Sequence, residues 1–131
     1  MELRLENGLP MAECLLSYHG KKLFIKNVLL DTGCAVSAVD IDCASLVGLL
    51  PSRDHAKIVS MYGIGGGSEY CLEQSFDDLT FDHYEFKHFK IHLGAISYAY
   101  GFDAILGADF FRQTGMILDL RGLQVWEPEK A

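Results

Sequence analysis

Among the residues of this sequence that could do chemistry, Asp31 has the most informative surroundings. It follows the apolar run Val28-Leu29-Leu30 and is followed by Thr32 and Gly33. A carboxylate at the end of a buried strand is desolvated, so its neighbours must supply hydrogen bonds or share its charge. Thr32 offers a hydroxyl beside it. Gly33 lets the backbone turn sharply and leaves no Cβ in the path of a ligand. The same three residue types are common in an ordinary strand-ending turn, so the triplet needs support from the rest of the chain.

Three other constellations compete with it. Gly63-Ile64-Gly65-Gly66-Gly67-Ser68 is close to a dinucleotide fingerprint, but Ser68 stands at the sixth position and no helical pattern follows. A phosphate-binding loop would need Lys and then Ser or Thr after its last glycine, and neither order occurs. His83, His88 and His92 invite a metal. If they lie on a strand, Phe89, Ile91 and Leu93 point inward while His88 and His92 point outward, and residues four apart sit about 13 Å from each other, too far to share one ion. A solvated strand face is expected instead, with no metal and no cofactor. Cys34 and Ser37 have no base paired to them in sequence, and the Gly-x-Ser-x-Gly elbow is absent. A pocket-lining role is expected for Cys34.

The elements that must position these groups read mainly as strands. Apolar-rich runs at residues 12–18 and 22–30 flank His19-Gly20-Lys21, a short hairpin connection. The second run becomes continuously apolar just before Asp31, as a strand buried on both faces would. Over 40–49 the spacing of Ile41, Ala44, Leu46 or Val47 and Leu49 predicts a helix, capped by Asp40 and ended by Pro51. Strands are expected at 57–62, at 69–72 and on to Phe81, and at 84–93. Ala104 to Gly107 is apolar, one or two helical turns over 109–113 close at Gly115, and a last hairpin turns at Arg121-Gly122. No internal repeat or linker interrupts the chain, so residues 1–131 are expected to form one mainly β domain.

Composition narrows the functional classes. Eighteen acidic against eleven basic residues give a formal charge of -7, and no basic stripe occurs, which argues against a nucleic-acid partner. No apolar run reaches the roughly 18 residues of a membrane span, so no membrane partner is expected. The acidic start Met1-Glu2-Leu3-Arg4-Leu5-Glu6 is unlike a signal peptide. A cytoplasmic location follows as the expectation, and with it free thiols at Cys14, Cys34, Cys43 and Cys71, which form no C-x-x-C pair.

Three segments in order carry a resemblance. Leu29-Leu30-Asp31-Thr32-Gly33, then Tyr62-Gly63-Ile64-Gly65-Gly66, then Ile105-Leu106-Gly107-Ala108-Asp109-Phe110-Phe111 resemble the retropepsin-like aspartic proteases over nearly the whole chain. The resemblance implies an all-β fold, a closed β-barrel with a flap hairpin and one or two short helices. It implies Asp31, Thr32 and Gly33 as the catalytic triplet. Gly33, Cys34, Ala35, Tyr62, Gly63, Ile64, Gly65 and Gly66 would hold the peptide, and Ile105, Leu106 and Gly107 would support the loop. Cys34 departs from the Ala or Ser usual after the triplet and places a thiol near the carboxylate.

Hydrolysis by activated water needs a base and an acid, and two carboxylates about 3 Å apart can be both by sharing one proton. The chain has one Asp-Thr-Gly; Asp103, Asp109 and Asp119 lack the following Thr/Ser-Gly and do not count as a second copy. The other carboxylate must come from a second molecule across a two-fold axis. The expectation is therefore a homodimeric aspartic endopeptidase acting on peptides or proteins. The competing expectation is a non-catalytic dimerisation or peptide-binding module of the same fold.

Overall fold

The structure, a computed structural model, describes residues 1–49, 57–62, 68–96 and 101–128, with side chains set aside at 57–62 and 68–71. The strands in chain order are β1 (Arg4–Glu6), β2 (Leu9–Tyr18), β3 (Lys21–Leu30), β4 (Ala38–Asp40), β5 (Lys57–Tyr62), β6 (Ser68–Phe81), β7 (Tyr84–Gly94), β8 (Ala104–Leu106), β9 (Ile117–Asp119) and β10 (Gln124–Trp126). Helix α1 (Ile41–Ser45) follows β4, and α2 (Ala108–Thr114) follows β8. Eight strands form one sheet in the order β1-β2-β3-β8-β4-β7-β6-β5, while β9 and β10 pair separately. An additional pairing of β2 with β6 joins β2-β3-β8-β4-β7-β6 into a ring. Among the described residues the fold is all-β, a closed six-strand barrel with two short helices, the architecture that the resemblance implies.

Register explains how the barrel separates its two faces. Ala12 pairs with Val28, Val28 with Ala104, Ala104 with Val39, Val39 with Leu93 and Leu93 with Leu72. Ladder partners share a face of the sheet, and these residues belong to or pack against one apolar core. The next row, Met11-Leu29-Ile105-Ala38-His92-Glu73, is paired partner by partner in the same way and faces the other side. Its members lie outside that core cluster. Asp31 is two residues beyond Leu29, so the alternation of the strand turns it to this second face.

Three local expectations need correction. Helix α1 ends at Ser45 rather than Leu49 because Gly48 takes a left-handed φ of 83°, which a right-handed helix cannot hold. Val47 and Leu49 are buried all the same, so the apolar spacing serves a closing turn. The stretches expected as separate strands before Phe81 form the single strand β6. Strand β1 was not expected, although Asn7-Gly8, with φ of 52° and 78°, is a strong hairpin signal; its three exposed residues give no apolar alternation to read. Asp40 caps α1 as expected, its carboxylate accepting from Cys43 N at 3.3 Å.

Candidate active site

Strand β3 delivers Asp31 to the end of the sheet. It runs parallel to β8, with Leu29 beside Ile105 and Leu30 beside Leu106, and Asp31 N prolongs the ladder by donating to Leu106 O at 3.0 Å. The chain then turns on itself. Gly33 N donates to Asp31 Oδ1 at 3.0 Å, and Cys34 N donates to Asp31 O at 3.1 Å. A Cβ at Gly33 would lie 3.2 Å from that same Oδ1, so glycine leaves the carboxylate both its donor and its space. Asp31 is half-buried, while Thr32, Gly33 and Ala35 are exposed.

Beneath this loop lies an arrangement that the sequence did not disclose. Asp109, in the first turn of α2, accepts from Ser37 N at 3.0 Å on both oxygens and from Ser37 Oγ at 2.7 Å. Ser37 Oγ in turn accepts from Gly107 N at 2.9 Å. Ala108 N donates to Cys34 O at 2.7 Å and Asp109 N to Ala35 O at 3.3 Å. The loop and the start of α2 are thus clasped at several points. A side chain at Gly107 would collide with the Cys34 carbonyl oxygen, so the close approach requires glycine there for space. Its φ is -98°, which any residue can adopt. Helix α2 is itself anchored by Phe110, fully buried with ring centroids 5.2 Å from Phe81 and 5.8 Å from Phe86.

The sequence-derived site residues divide into two groups. Asp31, Thr32, Gly33, Cys34 and Ala35 lie in the loop after β3, and Ile105, Leu106 and Gly107 lie directly beside it in β8 and at the start of α2. Tyr62 ends β5 opposite Ser68 of β6. Gly63, Ile64, Gly65 and Gly66, the expected flap tip, lie outside the described residues. Ser37 and Asp109 were missed as a pair. Each is visible in the sequence, but their partnership spans 72 positions and is created by packing.

Burial is the main influence raising the Cys34 thiol above its ordinary range, and the negative charge of Asp31 adds to it. The thiol is held protonated, in keeping with a lining role. His88 is exposed as expected, but His92 is not: it is 6% exposed, and its Nε2 lies 3.3 Å from Glu73 Oε2. The face opposite the core is covered at this point, which alternation along β7 alone does not show. Among the described residues no group of His, Cys, Asp and Glu is placed to hold a metal, and no helix is long and apolar enough to cross a membrane. Cys14, Cys34 and Cys43 are free thiols.

No family model and no curated protein matches the sequence. In three dimensions the chain is similar to the crystal structure of a retropepsin-like aspartic protease from Rickettsia conorii, with a TM-score of 0.68 over 95% of this chain and 86% of that one, at 18% sequence identity. At that identity the likeness is one of fold: the chain adopts the retropepsin-like architecture.

Proposed function

We propose that two copies of this chain, each using residues 1–131 as one protease domain, form an aspartic endopeptidase with Asp31 of both copies at a shared site. The observation that carries this is the placement of Asp31. It stands at the end of a parallel strand pair, in a glycine-containing loop clasped from beneath and exposed above, on a fold shared with a retropepsin-like protease. One chain supplies one such carboxylate, and a two-fold axis past the exposed loop brings its twin into place.

In the dimer one Asp31 is ionised and the other carries the shared proton. The ionised carboxylate takes a proton from a water molecule as that water attacks the scissile carbonyl carbon. The protonated Asp31 gives its proton to the carbonyl oxygen, forming a tetrahedral diol. Collapse of the diol returns a proton through the carboxylates to the departing amine. Thr32 braces the two loops, and Gly33, Cys34 and Ala35 line the peptide's path. Tyr62, Gly63, Ile64, Gly65 and Gly66 help to hold the peptide, which lies as an added strand. Ile105, Leu106 and Gly107 support the loop. The free thiols suit a reducing compartment, the cytosol.

Asp31→Asn should lower kcat about 10²- to 10⁴-fold, the usual loss of a general acid–base pair, with the circular dichroism spectrum unchanged. Wild-type activity per chain should fall on dilution as the dimer dissociates. A variant that cleaves peptides as fast as the wild type, or activity that persists where sedimentation shows monomers, ends the proposal.

A further inference from the structure

Asp31 shares its face of the sheet with an open cavity. The ladder that sets Met11 against Leu29, carried on by two residues, puts Leu9 opposite Asp31, and Leu9 pairs in turn with Glu6. Strand residues two apart share a face, so Asp31, Leu9 and Glu6 form one row, with Leu29 and Met11 in the row behind it. Glu6, Leu9, Met11, Asn27 and Phe102 line a cavity of about 440 Å³ on this face. It begins one strand spacing, about 5 Å, from Asp31. Met11 is its buried floor, Asn27 and Phe102 are half-buried, and Leu9 and Glu6 are exposed at its mouth. Asn27 donates its amide N–H to the Asp103 carboxylate at 3.1 Å, which leaves its carbonyl oxygen as the end of the amide available to a ligand. Glu6 supplies a carboxylate, and apolar side chains stand between these two acceptors. That arrangement suits a side chain with an apolar stem and only donors at its tip.

We infer that this cavity is a substrate subsite that takes a lysine or arginine side chain from a residue beside the scissile bond, with Glu6 as the acid that selects it. This rests on the proposed protease function and names its substrate class. Across the row Glu6 lies two strand spacings, about 10 Å, from Asp31. A basic side chain on a peptide lying over Asp31 extends ~6 Å along that line with its stem on Leu9, and the Glu6 side chain covers the rest. Leucine or valine stops over Leu9. Arg4 faces the same carboxylate, its Nη1 3.5 Å from Glu6 Oε1, but both side chains are more than two-fifths exposed. The other Arg4 nitrogen, Nη2, donates to the Lys26 carbonyl oxygen. An exposed pair of this kind is weak, so a cation seated in the cavity can share Glu6 or take it over.

The experiment compares labelled peptides that differ at one position, Lys, Arg, Leu or Glu, scanned along an eight-residue frame. Binding to full-length Asp31→Asn protein is read by fluorescence anisotropy, and wild-type cleavage by mass spectrometry. The expected result is a preference of about tenfold for Lys and Arg over Leu at one position, the size of a single well-placed charge pair. Glu6→Gln should abolish that preference and Glu6→Lys should turn it toward Glu. Both changes are at an exposed position, so the variants should fold, as circular dichroism would verify. Glu13→Gln, which removes the same charge from a residue of β2 outside this cavity, should leave the ratio as it is. An unchanged Lys-to-Leu ratio in Glu6→Gln, an equal loss in Glu13→Gln, or a wild-type preference for Leu or Glu overturns the subsite. Selective binding without wild-type cleavage would sink the protease and spare the subsite, whereas cleavage without selectivity would do the reverse.

Discussion

On the α2 side of β8, Asp109 gathers Ser37 N, Ser37 Oγ and Phe110 N around one carboxylate. On the other side, Asp103 accepts from Asn27 Nδ2 at 3.1 Å and lies 3.8 Å from Cys43 Sγ, while its backbone joins Asn27 and Asp40. Both aspartates tie β8 to neighbouring elements, and their carboxylates are occupied in doing so. Asp31, a few residues from the first network, receives the Gly33 N–H of its own loop and faces outward. On the proposed function, the contrast separates holding from reacting. A carboxylate used as a bolt is surrounded by donors from distant parts of the chain. One available for chemistry is kept in place by its backbone and by bolts elsewhere.

The sharpest way to break this contrast is at Asp109. Asp109→Ala should destabilise the fold by about 3 kcal/mol, because buried donors lose a charged acceptor, and should lower kcat more than it raises KM, since Asp31 would lose its seat. Urea unfolding and steady-state kinetics check both; unaltered kinetics at full folding would deny Asp109 a positioning role. Gly107→Ala, which drives a methyl group into the Cys34 carbonyl, should cost about 1–3 kcal/mol. Ser37→Ala removes the hydroxyl that donates to Asp109 and accepts from Gly107 N while leaving the Ser37 N–H to Asp109, for about 2 kcal/mol. At the other end, Asp103→Asn keeps an acceptor for Asn27 and should cost under about 1 kcal/mol, with no change in the kinetic split.

A smaller effect distinguishes the same two ends by pH. Burial, reinforced by the charges of Asp103 and Asp40, pushes the Cys43 thiol up to about 11 from an ordinary value of 9.0. The folded chain therefore binds this proton more tightly than the unfolded one. The associated stability is fully present below about pH 9 and is lost as pH rises toward 11. At pH 8 Cys43 should alkylate about a hundredfold more slowly in the folded protein than in urea, because only the thiolate reacts. Equal rates in mass-spectrometric alkylation would show that the Asp103 network does not hold the thiol.

Much of the molecule was legible in its residues. The strand spacings read as a mainly β domain because hydrophobic periodicity and turn chemistry are local properties, while the closed barrel was implied by the resemblance that Asp31-Thr32-Gly33 and Ile105-Leu106-Gly107 help to carry. Local signals failed at α1, where Gly48 ended the helix despite a continuing apolar pattern, and at β1, whose exposed residues carried no pattern at all.

What the residues determined by themselves was therefore most of the elements and the candidate carboxylate. The clasp of Ser37 with Asp109, and the burial of His92 beside Glu73, were decided only when parallel pairing of β3 with β8 and of β4 with β7 brought distant segments into register. Side-chain alternation tells which residues share a face, but only packing decides what covers that face. Whether a serine, aspartate or histidine serves as solvent contact or bolt depends on that covering.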